Sequence, residues 1–132
     1  VQGERLDTTY TNMRRTKVDR HYYNYAVAGM RRAVEQGTCR GADFPGVQVC
    51  GKTGTAQNRG NDHSAFMGFA PMNNPQIAVC VYVENGGFGA DFAVPLGALI
   101  MEQFVNGKLS PASEAKANTF QHRHISYGKQ AR

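Results

Sequence analysis

The sequence has no tryptophan, only three cysteines and five prolines. It nowhere carries an uninterrupted apolar run approaching the roughly 20 residues that a membrane-crossing helix needs, so no segment is expected to span a bilayer. Cys39, Cys50 and Cys80 are odd in number and too far apart for a C-x2-C zinc pair. Cys50 and Cys80 sit inside apolar runs and are expected to be small buried hydrophobes rather than disulfide partners. No metal and no cofactor is expected. The first residues, Val1-Gln2-Gly3-Glu4-Arg5, lack both an initiator methionine and the basic-then-apolar order of a leader peptide, so the chain is expected to begin within a longer protein.

Acidic residues are scarce: 10 Asp and Glu stand against 15 Lys and Arg, for a net charge of +5. The excess lies at the two ends, while the centre is apolar and has no stripe of alternating basic and aromatic residues. Nucleic-acid binding is therefore not expected. A length of 132 residues suits one core.

Between Asp19 and Gln36, Tyr23, Ala26, Val27, Met30, Ala33 and Val34 recur at spacings of three and four. This predicts an amphipathic helix capped by Asp19 and ended by Gly37. Residues 1–18 are expected to be an irregular lead-in. Strands are predicted over about 47–57, 65–70 and 76–84, the last buried on both faces because of its run Ile77-Ala78-Val79-Cys80-Val81-Tyr82-Val83. The short link Pro71-Met72-Asn73-Asn74-Pro75 makes the second and third strands an antiparallel hairpin. A bend at Gly86-Gly87-Phe88-Gly89 leads to a second helix with Val94, Leu96, Leu99, Ile100 and Phe104 on its apolar side, ending at Gly107. Residues 108–132 are expected to be a flexible or extended basic tail. The predicted class is α+β, an antiparallel three-strand meander flanked by helices and incomplete by itself, because its edges are uncovered.

Chemistry concentrates at Cys50-Gly51-Lys52-Thr53-Gly54-Thr55-Ala56-Gln57. Counted back from the lysine, Gly46 to Thr53 fits the phosphate-loop pattern G-x-x-x-x-G-K-[ST]. A phosphate loop must open a helix, however, and Gly54-Thr55-Ala56-Gln57-Asn58-Arg59-Gly60 is a poor one. Counted forward, Lys52-Thr53-Gly54 is the K-T-G signature of penicillin-binding serine acyltransferases. Lys52, Thr53 and Thr55 offer a positive charge and two hydroxyls to a peptide's terminal carboxylate. Gly54 lets substrate lie close along the strand, and the backbone N–H of Thr55 can serve as half of an oxyanion hole.

The surrounding strings agree. Gly51 to Gln57, Asp62-His63-Ser64-Ala65-Phe66-Met67-Gly68-Phe69-Ala70-Pro71, Pro75-Gln76-Ile77-Ala78-Val79 and Val83-Glu84-Asn85-Gly86-Gly87 resemble the family of class B penicillin-binding proteins, the peptidoglycan D,D-transpeptidases. Gly29-Met30-Arg31-Arg32-Ala33-Val34-Glu35-Gln36-Gly37-Thr38 is similar to the family's G-M-x-x-V-x-x-G-T segment. Within it the chain is most similar to the elongation branch, penicillin-binding protein 2.

The resemblance implies that residues 19–107 are the C-terminal part of a transpeptidase domain. It implies catalytic positions at Lys52, Thr53 and Gly54, with peptidoglycan stem peptides and β-lactams as the parent's ligands and cell-elongation proteins as its partners. It also implies a single-pass inner-membrane anchor outside this chain and a periplasmic catalytic domain.

The family's S-x-x-K and S-x-N should precede K-T-G, and neither does here. Ser113-Glu114-Ala115-Lys116 and Ser126-Tyr127-Gly128-Lys129 lie after it, where burial and orientation of a serine are not expected; Tyr10-Thr11-Asn12 and Tyr22-Tyr23-Asn24 are expected to be surface or packing residues. The isolated chain is therefore expected to be inactive. His63 is expected in the loop between strands rather than in a pair with Asp62, and His122-Arg123-His124 is expected to be solvated. A non-catalytic binding or scaffold module reusing the fold, and a P-loop nucleotide-binding protein, stand as alternatives. The open sheet edge leaves dimerisation or strand exchange of the fragment open.

Overall fold

A computed structural model describes residues 15–127. Helix α1 (Arg20–Glu35) begins where the Asp19 carboxylate accepts from the His21 backbone N–H, and Gln36 and Gly37 close its last turn. A single tight turn (Arg40–Ala42) follows, and then β1 (Cys50–Ala56), β2 (His63–Ala70) and β3 (Ile77–Val83) form one antiparallel sheet in the order β1-β2-β3. Helix α2 (Ala93–Asn106) packs on β2 and β3, while α1 runs beside β1. The described architecture is thus α+β, an antiparallel meander flanked by helices. Thr53 faces Phe66 and Lys52 faces Met67 in the β1–β2 register.

The core lies between the sheet and α2. Phe66, Val94, Ala98 and Met101 are buried there, joined by Val34, Cys39, Ala42 and Val49. Arg31 fastens α1 to the start of β1: it donates to the Val49 carbonyl at 2.9 Å and pairs with Glu35 at 2.9 Å and Asp43 at 3.4 Å.

Several expectations are corrected. The predicted stripe of α1 is buried only toward its C-terminal end: Tyr23 and Ala26 are exposed, Val27, Met30 and Ala33 half-buried, and Val34 buried. Strand β3 is not buried on both faces: Val79 and Val81 turn to α2, whereas Ala78, Cys80 and Tyr82 are exposed. Nothing among the described residues covers that second face. Cys80 is therefore not the buried hydrophobe expected of it.

On α2 the small residues Ala93, Gly97 and Ala98 approach the sheet, leaving Ile100 and Phe104 exposed. The expected extended tail contains a helix, α3 (Pro111–Gln121), capped by the Ser110 hydroxyl. Arg123 stacks on Phe92 at 4.0 Å and donates to the Asp91 carbonyl, which holds the segment after α3 against the start of α2. The lead-in lies outside the described residues over 1–14, as does Tyr10-Thr11-Asn12; Tyr22-Tyr23-Asn24 is an exposed part of α1.

Candidate active-site strand

Strand β1 is an edge of the described sheet, and alternation divides its side chains between the two faces. Lys52 is exposed on the open face, and its Nζ donates to the Thr53 carbonyl at 2.9 Å. Thr53 and Thr55 lie on the α2 side, Thr53 half-buried and Thr55 exposed, with half-buried Gly54 between them. Lys52, Thr53, Gly54 and Thr55 are thus consecutive on one extended edge, and the two hydroxyls share a face that Lys52 does not. The Thr53 carbonyl is free to meet Lys52, so it points away from β2. By the parity of an antiparallel ladder, the N–H of Thr55 points the same way.

The phosphate-loop alternative fails on this geometry. Lys52 and Thr53 sit within a strand, and the next element is another strand, so no helix N-terminus exists there to hold phosphate.

The strand is held in place from both sides. From the turn after α1 comes Thr38, whose Oγ1 lies 2.8 Å from Thr53 Oγ1. Beside it Cys39 is fully buried. Burial pushes the Cys39 thiol up, although hydrogen-bonding groups of Thr38 and Thr53 and the charge of Lys52 pull the other way. Burial also pushes the Cys50 thiol up. From the sheet comes Ser64, opposite Thr55; its hydroxyl donates to the Phe88 carbonyl at 2.8 Å and accepts from the Ala93 N–H at 3.1 Å. These bonds seat the 86–92 loop on β1 and β2. A Cβ on Gly89 would stand 2.5 Å from the Ala65 carbonyl oxygen and 2.8 Å from that of Gly54, so only glycine allows so close an approach.

The remaining candidates fall elsewhere. His63 is the first residue of β2 rather than part of a loop, and its Nδ1 accepts from the Asn85 N–H at 2.9 Å. Ser113, expected to be neither buried nor oriented, is both: its hydroxyl accepts from that of Ser110 at 3.1 Å. Glu102 is itself buried and accepts from the Ser110 N–H at 3.0 Å, so this cluster docks α3 on α2. Ser126 lies far along the tail, where its carbonyl accepts from Asn61 at 2.6 Å, and Lys129 is outside the described residues. No group of three or more metal-ligating side chains forms among the described residues. Thr38 and Ser64 have no sequence signal because their partners lie 15 to 29 residues away along the chain. Only Ser110 followed by Pro111 and Glu114 carried a visible signal, that of a helix start.

The edge strand bearing Lys-Thr-Gly-Thr thus lies between the turn after α1 and the loop before α2. The chain belongs to the class B penicillin-binding protein transpeptidases: the family described as "Penicillin binding protein transpeptidase domain" matches residues 2–102. It is 40% identical over 76 residues to the peptidoglycan D,D-transpeptidase MrdA of Acinetobacter baumannii, covering 46% of this chain and 11% of that protein. To the peptidoglycan D,D-transpeptidase PbpA of Mycobacterium tuberculosis it is 38% identical over 76 residues, covering 49% of this chain and 15% of that protein.

Among solved structures, PBP2 of Pseudomonas aeruginosa, in complex with WCK 5153, matches 71% of this chain and 22% of its own at a TM-score of 0.60 and 39% identity. The ceftriaxone acyl-enzyme of M. tuberculosis penicillin-binding protein A matches 70% and 23% at 0.63 and 30% identity. The chain therefore spans a small part of each relative's length.

Proposed function

We propose that residues 19–107 are the C-terminal part of the transpeptidase domain of a penicillin-binding protein 2-like enzyme that cross-links peptidoglycan. In the complete protein, a serine supplied from outside this chain attacks the carbonyl between the two D-alanines of a stem peptide. The terminal D-alanine leaves, and the acyl group passes from the serine to an amine of a neighbouring strand. This chain's part is to hold the substrate. Thr53 and Thr55 meet the terminal carboxylate from the face they share, and Lys52 reaches it round the strand edge, where its Nζ lies on the Thr53 carbonyl; each charge-assisted hydrogen bond contributes about 1.5–3 kcal/mol. The Thr55 N–H donates to the carbonyl oxygen as it becomes an oxyanion, a contribution of about 2.7–4 kcal/mol.

The observation that carries this reading is the unpaired strand edge from Lys52 to Thr55, with the N–H of Thr55 turned away from β2. The parent would be anchored in the inner membrane with its catalytic domain in the periplasm and would work beside cell-elongation proteins. No described helix is long and apolar enough to cross a membrane, so the anchor would lie elsewhere. The test is covalent labelling by a fluorescent penicillin, followed by mapping of the modified residue. The complete protein labels at one serine N-terminal to this chain, and the 132-residue chain alone does not label. A labelled Ser113, or a complete protein that takes no label, contradicts the proposal; the second outcome is the one a non-catalytic module would give.

A further inference from the structure

We propose that Thr38 is a positioning residue that turns the Thr53 hydroxyl proton toward the substrate carboxylate; this rests on the function proposed above. The two Oγ1 atoms are 2.8 Å apart, and either could donate. A threonine hydroxyl carries one proton and two lone pairs. If Thr53 spent its proton on Thr38, it would meet a carboxylate with lone pairs only and repel it. With Thr38 donating, one lone pair of Thr53 is occupied and its single proton is left for the acid.

Thr38 is exposed, but the chain on both sides of it is anchored. The Ala33 carbonyl accepts from both the Gly37 N–H at 3.1 Å and the Cys39 N–H at 3.0 Å, folding the chain sharply at the end of α1. A Cβ on Gly37 would stand 2.9 Å from the Ala33 Cα, so the turn has no slack. On the other side of Thr38, fully buried Cys39 is locked into the core, with its thiol against Thr53. Arg31 ties the same helix to the Val49 carbonyl just before β1. The helix end and the strand are thus one rigid unit, and Thr38 is delivered to Thr53 at a fixed distance.

The experiment measures acylation of the complete protein by a penicillin and by the same penicillin as its methyl ester, which lacks the negative charge. Thr38→Val keeps the shape and removes the hydroxyl. It should lower the rate with the free acid about tenfold, the scale of one hydrogen bond to a charged group, and leave the ester rate unchanged. Thr38→Ser should restore the rate with the acid. In a Thr53→Val background, Thr38→Val should cost nothing further.

Equal losses with acid and ester, additive losses in the double variant, or no loss at all would overturn the role of Thr38. A Thr53→Val protein that keeps the full rate with the acid would instead overturn the carboxylate grip itself, so the two failures are separable.

Discussion

Phe66 lies directly over Gly97: a Cβ built on that glycine would stand 2.5 Å from the ring's Cδ1. The same ring fills the space over Gly51 and Gly68, where a Cβ would meet it at 2.5 and 2.6 Å. It is a buried plug between three glycines, and it sets the distance between α2 and the sheet.

Gly97→Ala should therefore destabilise the chain by about 1–3 kcal/mol, the usual cost of overpacking, and Phe66→Ala by about 3–5 kcal/mol. Phe66→Leu should relieve part of the Gly97→Ala strain, so the double variant loses less than the sum of the singles. Urea denaturation midpoints check this, and strict additivity would show that the ring does not set the spacing.

The Glu102 carboxyl gives α3 a pH dependence. Burial alone would raise its pKa, but hydrogen bonds from Ser113 and Ser110 and the charge of Lys116 outweigh it and hold it below the ordinary glutamate value. A lowered native pKa means that the unfolded chain takes up the proton first as pH falls. The contribution is therefore whole above about pH 4.3, the ordinary glutamate value, and is lost as pH falls through the lowered native value. Glu102→Gln should be less stable than the parent at neutral pH and should flatten the acid limb of stability. Thermal melts from neutral pH into acid decide; an unchanged acid limb would remove Glu102 from the account.

The thiols should divide sharply. Cys80 is exposed, whereas Cys39 and Cys50 are buried and burial pushes both of their thiols up. A maleimide at neutral pH should modify Cys80 within the time that leaves the other two intact, and all three should react in denaturant. Rapid native labelling of Cys39 would mean that the end of α1 is not packed against β1.

How much of this was legible in the sequence depended on the range of the interaction. Local chemistry was plain: Asp19 caps α1, the Pro71 to Pro75 link makes a hairpin, and Lys52 to Thr55 lie extended on an edge. Faces were misjudged where size was taken for burial. Ile100 and Phe104 look like core, but the face of α2 that packs over Phe66 carries Ala93, Val94, Gly97, Ala98 and Met101 instead. Strand β3 was misjudged because its β-branched residues mark one covered face and say nothing of the other, which Cys80 and Tyr82 share. Helix α3 was overlooked because low hydrophobicity hid a capped start at Ser110 and Pro111. Thr38 closes the G-M-x-x-V-x-x-G-T segment, but no spacing rule links it to Thr53, since only the fold brings the two together.

The most direct trial of the carboxylate-gripping edge is the acylation rate of the complete protein by a penicillin, with and without Lys52→Ala. Removing the charge should slow acylation by about ten- to a hundredfold, the equivalent of one charge-assisted hydrogen bond, while the substituted protein keeps its thermal stability because Lys52 is exposed. An unchanged rate in the folded variant would contradict the role given to this strand.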